Sequence, residues 1–160
     1  MDRNEMLSVA KILLNIEWQW DRSWWDSLAS ELNLNSTKSP ESRRSYVDAN
    51  GYLWSAYFDR DKLEFLEINM LIFEDVESLS NSTYKEKADE FSQKFKDAVH
   101  DLIAIFGNPI FSDSWAAEGF PDDQDAIWLA LWKGENARLM LEQKNEARDL
   151  PFRLCFIVAP

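Results

Sequence analysis

Residues 83–109, TYKEKADEFSQKFKDAVHDLIAIFGNP, predict one long helix, and this helix decides the architecture of the chain. From Tyr84 onward the apolar residues are spaced alternately by four and three positions, which places them on a single stripe. Thr83 and Glu86 have the spacing of a capping box, and the closing glycine and proline end the helix at Phe106. A helix with one apolar stripe has to bury it, so we expect a second layer to pack against it.

The N-terminal part of the chain predicts two shorter helices. Residues 4–16 repeat apolar side chains at helical spacing. A second helix follows, with Ser23 as its expected N-cap and Asp26 three positions later, and its apolar side continues to Leu32. Residues 33–45 are polar, lack periodicity and contain a proline, so we expect them to form a loop.

Alternating residues predict a β-hairpin in the middle of the chain. Asn50-Gly51 is typical of a tight hairpin turn, because both residue types tolerate positive φ. Residues 52–58 alternate in hydrophobicity after this turn. Residues 63–73 begin on one alternation and continue on the other, and this change of phase predicts a β-bulge near residues 65–66.

Further strands are predicted after the long helix, at residues 127–132, 137–143 and 152–158. Consecutive strands joined by short turns pair antiparallel. The sequence therefore predicts an α+β fold, with a single antiparallel sheet of about five to six strands, the long helix packed on one face and two shorter N-terminal helices. Because no repeat or linker interrupts the chain, we expect residues 1–160 to form one domain.

Acidic residues outnumber basic residues by 29 to 17, which gives a formal net charge of -12. Such a surface repels phosphate backbones and anionic lipids, so we expect neither nucleic acid nor a membrane as a direct partner. It attracts a basic protein instead. The charged N-terminal stretch lacks the apolar run of a signal peptide, and one cysteine cannot form an internal disulfide, so we expect a cytoplasmic location.

The sequence is poor in the residue patterns of common active sites. It contains no glycine-rich phosphate loop, no nucleophile elbow and no paired-cysteine metal signature. His100, the single histidine, is expected on the surface of the long helix. Cys155 alternates with apolar residues and is expected to be a partly buried thiol, which nothing nearby in the sequence activates. We therefore expect no enzymatic activity, no cofactor and no bound metal.

The densest local group of carboxylates is formed by Asp122, Asp123 and Asp125. Hard cations bind oxygen ligands of this kind, but the spacing misses the alternate positions and the glycine of a calcium loop. We therefore favour a solvated turn or a contact with a basic partner over a metal site.

Half of the excess negative charge is concentrated in residues 46–80, which hold eight acidic and two basic side chains, a net charge of -6. Two interpretations stay open, because this segment either forms a binding face or serves solubility alone.

The eight tryptophans also allow two interpretations. They either all pack internally, or one or two of them are exposed beside acidic residues and anchor a partner. The candidate partner-binding residues are Asp59, Asp61, Glu64, Glu67, Glu74, Asp75, Glu77, Asp122, Asp123, Asp125, Trp24, Trp25 and Trp115.

The closing part of the chain resembles a known class of proteins. The stretches AIWLALW (126–132), LMLEQK (139–144) and LPFRL (150–154) are similar to the strand meander that closes many cytoplasmic immunity proteins, which bacteria make against their own secreted toxins. The small acidic α+β domain, the excess of tryptophan and the missing catalytic set fit the same class. The resemblance implies a tight one-to-one complex with a basic toxin, often a nuclease, whose active site or a neighbouring face is blocked.

Two other functions fit the sequence less closely. A secretion-chaperone-like protein, which wraps an unfolded effector segment, is also small, acidic and α+β, but it needs a large apolar surface for self-association. An enzyme that uses only carboxylates is the third interpretation, although no particular pair of acidic residues stands out. We expect a monomer or a weak dimer.

Overall fold

Three helices and eight strands follow one another along the described chain, residues 2–145 and 147–160 of this computed structural model. They are α1 (Arg3–Asn15), α2 (Arg22–Glu31), β1 (Asn35–Ser36), β2 (Arg43–Val47), β3 (Leu53–Asp59), β4 (Lys62–Phe73), α3 (Asn81–Phe106), β5 (Phe111–Ser114), β6 (Trp128–Lys133), β7 (Arg138–Lys144) and β8 (Phe152–Ala159). Among these described residues, no helix combines the length and the apolar character needed to cross a bilayer.

The sheet consists of two four-stranded meanders that meet side by side. Its strand order is β1-β2-β3-β4-β8-β7-β6-β5, and every neighbouring pair is antiparallel. After β4 the long helix α3 carries the chain to β5 at the far edge, and the second meander returns until β8 pairs with β4. The predicted α+β fold with one antiparallel sheet is therefore confirmed.

The number of strands was predicted wrongly, because the sheet has eight strands rather than five or six. The extra strands lie at its two ends. β1 and the start of β2 fall within residues 33–45, which were expected to form a loop, and β5 falls in the acidic stretch after α3. These strands are two to five residues long and rich in polar side chains, so they show too little alternation to be recognised.

The predicted hairpin is confirmed between β2 and β3. Asp48 holds the turn, because its carboxylate accepts the backbone N–H groups of Asn50 (2.9 Å) and Tyr52 (3.0 Å). Gly51 has a φ of 86°, which a residue with a side chain adopts only at a cost.

The predicted β-bulge is present in β4, slightly before its expected position. Tyr57 pairs with Phe65 and Phe58 pairs with Leu63, which leaves Glu64 as the extra residue. A second irregularity lies between Asn69 and Leu71 on the side of β4 that pairs with β8.

The predicted N-caps were wrong by two or three residues. Ser80 caps α3 by accepting the backbone N–H of Thr83 (3.3 Å), so the helix begins at Asn81 instead of Tyr84. Asp21, in place of Ser23, caps α2. In each case a second suitable capping residue precedes the expected one in the sequence. The C-terminus of α3 was predicted correctly, since Gly107 (φ 76°) donates its N–H to Ile103.

The three helices lie on the same face of the sheet and bury its main core. The apolar stripe of α3 is buried, as predicted, through Phe91, Phe95 and Leu102. Trp25 of α2 and Trp54 of β3 belong to the same helix-side core. On the opposite face, residues of the second meander form a smaller apolar cluster, against which the connection between β5 and β6 packs through Phe120.

Candidate partner-binding surface

The acidic segment, residues 46–80, does not form one surface. Asp59 and Asp61 lie at the turn before β4, whereas Glu74, Asp75 and Glu77 follow its other end. β4 has 12 residues, so these two groups are separated by roughly 40 Å at about 3.3 Å per residue. The fold therefore divides a continuous acidic stretch of sequence between two ends of the sheet.

Glu67, another member of the acidic segment, is buried in the centre of the sheet. Its carboxylate accepts a hydrogen bond from Arg153 Nη1 (2.9 Å) and another from Asn69 Nδ2 (2.9 Å). Lys144 Nζ lies 2.9 Å from Glu142 Oε2 and 3.9 Å from Glu67 Oε2. Glu67 thus belongs to an internal ion-pair network across β4, β8 and β7, and it does not present its charge to a partner.

The ion-pair network holds its charges in place rather than preparing a reactive group. Burial, the strongest single influence, lowers the pKa of Lys144, but the charge of Glu142, its hydrogen bond with Lys144 and the other nearby groups together outweigh burial, and the pKa rises to about 12. Burial raises the pKa of the neighbouring Cys155, so its thiol stays protonated and is a poor nucleophile. Cys155 is 0% exposed and thus more completely buried than predicted, and His100 is exposed on α3 as expected.

Trp25 was wrongly assigned to the partner-binding surface. Its side chain is 0% exposed and packs edge-on against Tyr46. Trp24 is half-buried and packs against Trp18, with ring centroids 5.6 Å apart. The sequence could not show which of the two is fully buried, because each is followed four positions later by an apolar residue, Leu28 or Ala29, and both therefore fit the apolar side of α2.

The connection between β5 and β6 contains several exposed acidic side chains and an exposed tryptophan. We call residues 115–127 the acidic loop. Trp115 is 65% exposed and stands at its base, where its backbone N–H bonds to Ile127 O (3.1 Å). Asp122 and Asp125 are exposed in the same loop. These three predicted site residues therefore lie exposed in one connection of the chain.

The acidic loop is fixed to the sheet by an ion pair. Arg138 of β7 donates from Nη2 (2.6 Å) and Nη1 (3.2 Å) to the two carboxylate oxygens of Asp123. Its Nε also donates to Pro160 O (3.0 Å), which holds the guanidinium in place. The hydrogen bonds from Arg138 lower the pKa of Asp123 below the usual range for aspartate. Asp123 therefore anchors the loop, although its side chain stays 54% exposed.

Aromatic packing supports the same loop from below. Phe120 lies edge-on against Phe111 of β5, with ring centroids 5.9 Å apart. Gly119 has a φ of 86°, which bends the chain so that Phe120 reaches the sheet.

Within residues 2–145 and 147–160, no three His, Cys, Asp or Glu side chains are grouped as metal ligands.

A second surface feature was missed by the sequence analysis. A groove lies between the last turn of α1 and the β6–β7 turn, and we call it the tryptophan groove. Trp18 and Trp20 line it and stack on each other, with ring centroids 5.6 Å apart and an interplanar angle of 17°. The crowding of tryptophans at residues 18–25 was the available signal, but the sequence does not show which other element meets them.

Comparison with known proteins gives no relative for this chain. No protein-family model matches it, and neither the curated proteins nor the solved structures searched contain a match.

Proposed function

We propose that this protein binds a basic protein partner and blocks it, as an immunity protein neutralises a cognate bacterial toxin. The observation that carries the proposal is Trp115, a tryptophan 65% exposed at the base of a loop rich in carboxylates. Large aromatic side chains of this kind dominate the binding energy of protein interfaces.

The surroundings of Trp115 suit the recognition of a basic partner. Residues 113–125 contain Asp113, Glu118, Asp122, Asp123 and Asp125 and no basic residue. Complementary charge accelerates the encounter of two proteins, while the buried aromatic anchor slows their separation. The acidic loop combines both contributions in one short stretch of chain.

The fixed geometry of the acidic loop favours tight binding. The Arg138–Asp123 ion pair and the packing of Phe120 on Phe111 hold the loop in place before any partner arrives. A preformed loop loses less conformational entropy on binding than a mobile one. If the partner is a nuclease, the carboxylates would occupy the positions of substrate phosphates at its basic active site.

The alternative of a secretion chaperone lacks a comparable supporting observation. The apolar stripe of α3, the surface that such a protein would use for self-association, packs against the sheet through Phe91, Phe95 and Leu102. The alternative of a carboxylate-only enzyme is also weaker, because the buried acidic residues Glu67 and Glu142 lie beside basic side chains.

The test uses the basic toxin domain that the proposal expects to be encoded beside this gene. The two proteins are co-expressed to score rescue from toxicity, and their association and dissociation are measured by surface plasmon resonance. Trp115→Ala should raise the dissociation constant at least about 30-fold, the effect of removing a hot spot of about 2 kcal/mol.

Ile110→Ala is the matched control, because Ile110 is 67% exposed at the other end of the same strand. It should leave the affinity within about twofold. Equal effects of Trp115→Ala and Ile110→Ala, or an adjacent gene that encodes no basic secreted domain, would count against the proposal.

A further inference from the structure

The tryptophan groove has a deep apolar part and a shallow extension. The deep part has a volume of about 270 Å³, and its apolar walls are formed by Leu13, Leu14, Ile16, Trp18, Phe106 and Trp132. The extension, of about 600 Å³, continues along the β6–β7 turn past Trp20 to Pro160. Together they form a continuous path, because Trp18 and residues 133–137 line both parts.

The walls of the tryptophan groove are fixed by hydrogen bonds. Trp20 Nε1 donates to Asn136 O (2.9 Å), which ties the segment after α1 to the β6–β7 turn. Trp132 Nε1 donates to Gly107 O (2.9 Å), which ties β6 to the end of α3. The groove is therefore preformed, so a ligand gains its contacts without ordering the protein first.

The size of the deep part selects the kind of ligand. Pockets for drug-sized molecules usually measure about 300–1,000 Å³, whereas a cavity of about 150 Å³ already holds benzene. A volume of 270 Å³ lies between these limits and suits one aromatic or leucine side chain. Leu14, 56% exposed at the mouth, adds apolar surface that such a side chain would cover.

The rim of the groove attracts positive charge. Glu17 and Glu135 are exposed on its two sides. The C-terminal end of α1, which carries the negative end of the helix dipole, also opens toward it. Two basic residues line the groove as well. Lys133 follows the alternation of Leu129 and Leu131, whose side chains belong to the opposite face of the sheet. Arg138 lies in the extension, and its ion pair with Asp123 compensates its charge.

We infer that the tryptophan groove binds an extended segment of a cationic polypeptide, which inserts one apolar side chain into the deep part and sets Lys or Arg beside Glu17 and Glu135. The groove lies at the Lys133 end of β6, whereas the acidic loop joins the strand at its Trp128 end. The extension meets the acidic loop at Arg138, which pairs with Asp123, but the deep part lies at the opposite end of β6 from Trp115. This inference therefore does not rest on the exposed tryptophan that carries the proposed function.

The test is direct titration with a short, fluorescein-labelled and acetylated peptide amide in which arginine and leucine alternate. Fluorescence anisotropy should show saturable one-to-one binding. Leu14→Ser should weaken this binding about tenfold, the effect of losing one buried leucine contact. Glu17→Gln combined with Glu135→Gln should weaken it about threefold at low salt and reduce its dependence on salt.

Two further peptides separate apolar insertion from charge attraction. A peptide that alternates arginine and serine should bind at least about tenfold more weakly, because it has no side chain for the deep part. A peptide that alternates glutamate and leucine should also bind weakly, because Glu17 and Glu135 repel it. If either peptide binds as tightly as the arginine-leucine peptide, the inference is wrong.

Variants elsewhere on the protein locate the peptide. Leu150→Ser removes another exposed leucine, and Glu74→Gln combined with Glu77→Gln removes two charges far from the groove. Both should leave the affinity unchanged, as should Trp115→Ala. An effect of Trp115→Ala equal to that of Leu14→Ser would place the peptide on the acidic loop and overturn the groove assignment. All variants should keep the wild-type melting temperature, since every substituted side chain is exposed.

Discussion

The acidic segment and the acidic loop look alike in sequence but differ in the folded protein. The acidic segment, residues 46–80, has the larger excess of carboxylates, yet β4 separates its two exposed groups and Glu67 is buried between them. The acidic loop, residues 115–127, has fewer carboxylates, but they belong to one connection that begins at the exposed Trp115 and is fixed by the ion pair of Asp123 with Arg138.

The difference shows that charge density along a chain becomes a surface only when the topology folds the charges together. A strand of 12 residues disperses the charges at its ends. A loop does not separate its charges in this way, because its two ends are joined by neighbouring strands, as β5 and β6 join the ends of the acidic loop.

The largest expected effect contrasts two tryptophans that the sequence assigned to the partner-binding surface, Trp25 of α2 and Trp115 of the acidic loop. Trp25→Ala should lower the free energy of unfolding by about 3–5 kcal/mol, because it empties a fully buried site in the core. Trp115→Ala should change it by less than about 0.5 kcal/mol. Urea denaturation followed by circular dichroism measures both. Similar midpoints for the two variants would contradict the contrast between a core residue and a surface anchor.

The second prediction contrasts two acidic residues three positions apart in β4. Glu67→Gln should destabilise the protein by about 3 kcal/mol, because it leaves Arg153 and Lys144 with less compensation in a buried network. Glu64→Gln, at the exposed bulge position, should be nearly neutral. The same denaturation experiment tests this pair. A neutral Glu67→Gln would mean that Glu67 is solvated and available to a partner.

The parts of the fold that were predicted correctly depend on local sequence patterns. The stripe of α3, its end at Gly107 and the hairpin at Asn50-Gly51 each require only residues close together in the chain. β1, β2 and β5 were missed or shortened because backbone pairing with a neighbouring strand, rather than their own side chains, makes them strands.

The candidate site was harder to predict than the fold, because burial and pairing are tertiary properties. No sequence pattern indicates that Glu67 faces Arg153, which is 86 positions away, or that Asp123 pairs with Arg138. Trp115 was the exception, since its polar loop indicated exposure without any knowledge of the sheet.

The third prediction concerns the ion pair that fixes the acidic loop. Its hydrogen bonds lower the pKa of Asp123 in the folded protein, so its contribution to loop stability is present above the ordinary aspartate pKa of about 3.9 and is lost as the pH falls through the lower, folded value. NMR titration of the Asp123 carboxyl carbon should therefore give a lower pKa in the wild type than in Arg138→Gln.

Amide hydrogen exchange at neutral pH provides a second measurement of the same ion pair. Arg138→Gln should reduce the protection of the Ala117 and Phe120 amides, which form the turn inside the acidic loop. Protection of the helix α3 should not change, because the loop packs on the other face of the sheet. Unchanged loop protection would indicate that Phe120 alone fixes the loop.

The smallest expected effect on stability tests the acidic segment itself. Neutralising Asp59, Asp61, Glu74 and Asp75 together should leave the melting temperature nearly unchanged, because exposed charges contribute little to folding.

For binding to the basic partner, the sequence alone predicted that the same four substitutions slow association and weaken its dependence on salt. The two pairs of acidic residues are separated by roughly 40 Å, the length of β4 at about 3.3 Å per residue. We therefore expect the two double variants, Asp59→Asn/Asp61→Asn and Glu74→Gln/Asp75→Asn, to act independently. Their effects on the logarithm of the association rate should add. Stopped-flow measurements over a range of salt concentrations, with Asp122→Asn/Asp125→Asn for comparison, test this expectation. The loop variant should slow association more than either pair, and a larger effect from one pair would move the binding surface to that end of β4.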